Sequence, residues 1–186
     1  GPMGVGEPDL EGHATPALSF GVDGFTNTLR KIGDNLLESD VPNYASPVGW
    51  LGRNIGLFTT GENIFIESAS ADAQLKWMGL SVQGEYFAGH AEGDTSGVIL
   101  WSYGWYGQAA YLVLPKTLDL AVRYSVVDAN RAAPHDTNSV VTAATTWYMK
   151  RNNVKLQFDY SRTHRQRGSG APANDQLFRV QVQLML

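Results

Sequence analysis

The chain contains no cysteine. Disulfides, thiolate nucleophiles and cysteine-held metals are therefore excluded, and the compartment is left open. It also lacks any apolar run approaching the roughly 18 residues of a transmembrane helix, although 43% of its 186 residues are apolar. That absence says nothing about strands, because a transmembrane strand alternates its two faces and never becomes uniformly hydrophobic. An excess of positive charge is missing too. Fourteen Lys and Arg against 18 Asp and Glu leave a net charge of −4, which argues against a nucleic-acid partner, since phosphate binding needs a concentrated basic surface. The glycine-rich pieces at 4–6 and 168–170 lack the lysine and following helix of a phosphate-binding loop.

What the chain does have is period-two alternation, the mark of strands with one apolar face. Over 153–161, Val154, Leu156, Phe158 and Tyr160 oppose Asn153, Lys155, Gln157, Asp159 and Ser161. Over 117–126, Leu118, Leu120, Val122, Tyr124 and Val126 oppose Thr117, Asp119, Ala121, Arg123 and Ser125. Segments 80–88 and 178–186 alternate in the same way, and 16–27, 68–77, 101–114 and 139–149 do so less cleanly. Charged and amide side chains repeated along one strand face cannot sit in a dry core, because unpaired buried charge is too costly. One face therefore meets water or a dense polar network. A soluble β-sandwich also alternates.

Connection lengths separate the two readings. Met78-Gly79, Pro115-Lys116 and Lys150-Arg151-Asn152 mark tight turns, whereas about 28–67, 89–100, 128–138 and 165–175 are expected as longer loops. Short turns at one end and long loops at the other are the outer-membrane arrangement. The expected fold is an all-β, antiparallel up-and-down transmembrane β-barrel of about eight strands in this chain, with short periplasmic turns and long extracellular loops. Residues 16–186 form the barrel, with a long first loop at about 28–67. Residues 1–15 form an N-terminal extension in which Gly1-Pro2 before Met3 has the form of a tag-removal scar. Within the first loop, 29–40 is expected as a short helix and 54–67 as a small hairpin turning at Thr60-Gly61. Trp77, Trp147 and Tyr148 near the short turns, and Trp101, Tyr103, Trp105, Tyr106 and Tyr111 on one strand, suit interfacial girdles.

The alternation sets Asp72, Lys76, Glu85, Asp119, Arg123, Lys155, Gln157, Asp159, Arg179 and Gln181 facing the lumen. Leu118, Leu120, Val122, Leu156, Phe158, Val180 and Val182 are set facing lipid. Arg162, Arg165 and Arg167, with His164 among them, form a basic cluster at an outer strand end suited to lipopolysaccharide phosphates. His90 four residues before Asp94, and His135 beside Asp136, carry the elements of an oriented imidazole base. No nucleophile motif accompanies them, and no metal-ligand spacing appears, so no catalytic, metal or cofactor site is expected.

Residues 74–87 (QLKWMGLSVQGEYF), 101–124 (WSYGWYGQAAYLVLPKTLDLAVRY) and 147–161 (WYMKRNNVKLQFDYS) resemble, in order, strands of the phosphate-selective porin O and P family. The resemblance covers 68–186 well and the first third poorly. It implies trimeric 16-stranded barrels in the Gram-negative outer membrane that pass small hydrophilic solutes or ions, with this chain akin to the C-terminal half. Phosphate selectivity in the family goes with a basic lumen, whereas the inward set here mixes both signs. Two functional readings remain: a diffusion pore, or a closed eight-stranded barrel with a structural, surface-binding or adhesive role.

Overall fold

The alternating segments all become strands. The computed structural model describes residues 8–32, 35–38, 51, 54–134, 136–150, 153–167 and 170–184. The strands are β1 (Ala17–Ile32), β2 (Asn35–Glu38), β3 (Asn63–Trp77), β4 (Leu80–Gly93), β5 (Ile99–Leu114), β6 (Leu118–Asp128), β7 (Asn138–Lys150), β8 (Val154–Arg167) and β9 (Gly170–Leu184). They form one antiparallel sheet in the order β2-β1-β3-β4-β5-β6-β7-β8-β9. Apart from the short β2, this is an up-and-down meander of eight long strands. The sheet is open, because β1 and β9 are not neighbours.

Turn chemistry fixes the register at the short end. Met78 and Gly79 both have positive φ, +49° and +85°, the backbone of a type I′ turn whose twist matches a two-residue hairpin. Glycine takes this conformation freely, while Met78 is held there at a cost. Lys116 (φ +59°) turns the chain between β5 and β6, where a bulge lies between Leu112 and Leu114.

Several expectations need correction at the other end. Residues 29–32 continue β1 and pair with Asn35–Glu38, so 29–40 is not a helix across its described part. The 54–67 hairpin is absent as well. Ile55–Leu57 is one turn of 3-10 helix, Gly61 turns at φ +91°, and Asn63 already begins β3 opposite Arg30. The loop expected at 89–100 shrinks to 94–98, and most of 165–175 lies in β8 and β9. Connection lengths therefore do not alternate strictly, since 168–169 is as short as 78–79.

Register separates the two faces. Ala17, Lys76, Ser81, Ala110, Ala121, Ala144, Asp159 and Arg179 lie side by side across eight strands on the polar face. On the other face β3, β4 and β6 each offer five alternate small, apolar or aromatic positions before a polar one. They run from Trp77 to Ala69 before Glu67, from Leu80 to Ala88 before His90, and from Leu118 to Val126 before Asp128. Phe20 is 76% exposed, Val22 86% and Phe178 67%, far more contiguous apolar surface than a water-soluble domain tolerates. The buried apolar cluster lies instead on the polar-face side at the far end. There Leu51, Ile55 and Phe58 of the first connection pack on Leu29, Ile64, Ile66, Ala91 and Leu100.

Candidate functional site

The candidate site is the polar face. Side chains two residues apart along a strand share a face, so β3 contributes Asp72, Gln74 and Lys76, and β4 contributes Ser81, Gln83 and Glu85. All ten residues expected to face the lumen fall on this one face.

A transverse row runs through its middle: Ser19, Gln74, Gln83, Gln108, Arg123, Thr142 and Ser161 are successive register partners. Gln83 Nε2 donates to Tyr106 Oη at 2.9 Å, and Gln108 Nε2 donates to Gln83 Oε1 at 3.4 Å. The Arg123 guanidinium lies 4.0 Å from the Tyr106 ring centroid, a cation–π contact that aligns it without neutralising it. Thr142 and Ser161 share a hydroxyl–hydroxyl hydrogen bond of 2.8 Å. The neighbouring row toward the far end is acidic, with Asp72 opposite Glu85, and Ser70 donates to Asp23 at 3.0 Å. Gly21 leaves space for the Asp72 carboxylate, which a Cβ there would overlap.

Two carboxylates on this face are internally committed. Buried Asp119 accepts from the Thr146 N–H at 2.9 Å and from Tyr148 Oη at 2.8 Å. Buried Asp159 pairs with Arg179 Nε at 2.9 Å. Lys155 stands between Tyr148 and Gln183, and Gln157 between Thr146 and Gln181. Arg123, Lys155, Asp72 and Glu85 are less buried and enter no ion pair of 4 Å or less among the described residues. Both signs are thus presented, with Asp23, Asp72 and Glu85 on β1, β3 and β4, and Arg123, Lys155 and Arg179 on β6, β8 and β9.

Both ends of the face are built over by residues that the alternation did not identify. At the far end, the Lys31 ammonium donates to the Phe58 carbonyl. Buried Glu62 accepts from the Thr59 N–H, from Thr95 N–H at 3.1 Å and from Ser96 N–H at 2.8 Å. Burial alone would raise its pKa, but these donors outweigh burial and hold the carboxyl below its ordinary value. At the short-turn end, residues 9–14 are part of the fold. Buried Asp9 accepts from Gly79 N–H at 2.9 Å, His13 N–H at 2.9 Å and the His13 ring. Met78 N–H donates to His13 O at 2.9 Å, and Trp77 Nε1 to Ala14 O at 3.3 Å. Asp9 is likewise held below its ordinary pKa: burial opposes ionisation, and the Gly79 and His13 donors more than offset it. Asp9 and Glu62 each bind a nearby turn, at His13 and Thr59, but nothing local marks the distant turns they also hold, at Gly79 and at Thr95 and Ser96.

The His90–Asp94 pairing does not form as spaced. His90 Nδ1 lies 3.5 Å from Glu67, while Asp94 is bound by Asn63 and Thr95. Adjacent strands bring His90 and Glu67 together, and Asp94 lies beyond the strand in the turn. His135 lies outside the described residues, and His164 meets Asn174 at 3.0 Å. The arginine cluster divides between faces. Arg162 shares the apolar face with Val141, whereas Arg165 lies on the other face with Asp175 at 3.2 Å. The side chain of Arg167 lies outside the description.

A sheet with one polar and one apolar face and short turns at one end is how an outer-membrane barrel is built. Residues 53–186 match the family model described as phosphate-selective porin O and P. The chain belongs to that family. No curated protein and no solved structure matches it. The match begins within the first connection and covers β3 to β9, leaving β1 and β2 outside. This porin is accordingly a protein of the Gram-negative outer membrane.

Proposed function

We propose that the polar face lines a water-filled passage through which small hydrophilic solutes or ions diffuse, while the apolar face meets lipid. The observation that carries this reading is the segregation of faces. A row of hydroxyl, amide and guanidinium groups spans seven strands, behind a surface where Phe20, Val22 and Phe178 are bare. Five alternate positions occupy nine residues, about 22–25 Å of bilayer for a strand tilted by about 35–45°. A closed eight-stranded barrel would need β1 paired with β9, and among the described residues these strands are not neighbours, which favours the pore over the purely structural reading. The first connection narrows the passage at the far end.

Because Arg123 and Lys155 share one sheet face with Asp72 and Glu85, we assign no phosphate specificity. Planar-bilayer recording of the purified chain, with its oligomeric mass measured in detergent, tests the proposal. Stepwise conductance is expected, with Arg123→Glu and Lys155→Glu shifting the reversal potential toward cations. Silent membranes, or charge reversals without effect, would refute it.

A further inference from the structure

The apolar face carries a polar site on β1, β3, β4 and β5. At its far end Thr26, Glu67, His90 and Trp101 are successive register partners on β1, β3, β4 and β5. One row nearer the short turns stand Gly24, Ala69 and Ala88, whose small side chains drop the surface below its rim. The result is an open depression of about 500 Å³. Glu67 Oε2 lies 3.5 Å from His90 Nδ1, and the imidazole leans on the Trp101 indole with ring centroids 4.3 Å apart. His90 Nδ1 is enclosed yet makes no hydrogen bond, while Trp101 remains 53% exposed. Beside it, Arg131 donates its N–H to Trp101 O at 2.9 Å, and its guanidinium lies 5.6 Å from the Tyr103 centroid.

The height of this site is set by the strands. Glu67 and His90 are the first polar residues past the five-position apolar stretch of β3 and β4, which places them at the level of outer-leaflet headgroups. A carboxylate–imidazole pair facing hydrocarbon would be costly. At headgroup level the pair offers an acceptor and a donor to a polar lipid.

We propose that this depression binds the phosphorylated sugar headgroup of an outer-leaflet glycolipid. The sugar ring stacks on the Trp101 indole, since a saccharide's C–H face suits an aromatic plane. Its hydroxyl or amino groups bond Glu67 and His90. The phosphate is turned toward Arg131, because the Glu67 carboxylate repels it and a guanidinium pairs well with it. The first acyl carbons lie over Ala88, Ala69 and Gly24. The inference rests on the apolar face meeting lipid and not on conduction, so a silent but folded barrel would leave it standing.

The test is native mass spectrometry of the full chain in detergent titrated with purified rough lipopolysaccharide, with phosphatidylglycerol as competitor. Each variant is first checked for a heat-dependent shift on a denaturing gel. Trp101→Ala, Glu67→Gln and Arg131→Ala should each weaken lipopolysaccharide retention by up to about tenfold, as losing one stacking or charged contact implies. Trp147→Ala, at the short-turn end of the same face, should leave retention unchanged, and phosphatidylglycerol should compete poorly. If Trp101→Ala misfolds, Trp101→Phe with Arg131→Ala keeps the comparison. Folded variants that retain lipopolysaccharide as the parent does, or equal displacement by phosphatidylglycerol, would overturn the assignment.

Discussion

Individual side chains define two sharp tests. Asp9 is buried and accepts the Gly79 N–H at 2.9 Å. Its pKa lies below the ordinary 3.8, so its contribution is complete above that value and is lost as pH falls through the depressed one. Protection factors at Met78 and Gly79, corrected for intrinsic exchange, should hold above the ordinary value of 3.8 and fall as pH drops through the depressed pKa. Asp9→Ala should abolish the protection at every pH, weakening the attachment of residues 9–14 by about 1–3 kcal/mol. Protection that ignores both acid and Asp9→Ala would mean that backbone bonds alone hold the segment. The second test concerns faces. Val122 is the middle of the five apolar positions on β6, and Gln157 lies on the polar face of β8. Val122→Arg should cost about 2–4 kcal/mol of folding free energy, whereas Gln157→Arg should cost little. Similar costs in a urea titration in lipid vesicles would remove the assignment of faces.

Among the elements, legibility followed the side chains that carry the pattern. β6 and β8 were plain because aliphatic and aromatic residues alternate with charge, as in Leu118-Asp119-Leu120 and Leu156-Gln157-Phe158. The far half of β4 was hidden, because Gly89, Ala91 and Gly93 alternate with His90 and Glu92 and offer no apolar stripe. The start of β9 was hidden by Pro172, Asn174 and Asp175, residues that a strand accepts when it lies at the edge of its sheet, as β9 does. Leu29, Leu36 and Leu37 imitate helical spacing. Tertiary contact decides otherwise, since Leu29 is fully buried against the cluster of Ile64 and Phe58. That the ten expected residues share one strand face was legible, whereas the two covers of that face were not, since each ties down a turn far along the chain. The far cover should be separable from the wall. Leu29→Ala or Ile64→Ala should loosen the first connection by about 2–5 kcal/mol, exposing 54–58 to protease while the strands stay protected. Cleavage unchanged from the parent would show that Lys31 and Glu62 suffice to hold it.

For the whole molecule, the chain is a sheet whose bare face is apolar and whose other face is polar. Its two unpaired margins follow from the topology: β9 offers a free edge along its length, and β1 is covered only beside β2. β3, β4 and β6 each show five small or apolar positions before the first polar one, so these strands are a gauge of membrane thickness. Stretching or squeezing the surrounding hydrocarbon by a few ångströms should cost a fraction of a kcal/mol per ångström. Refolding yield into phosphatidylcholine vesicles of graded acyl length should therefore peak near a hydrocarbon depth of about 25 Å and fall on both sides. A yield that simply rises as the chains shorten would show that ease of insertion, and not the matched height of the band, selects the bilayer in which this porin settles.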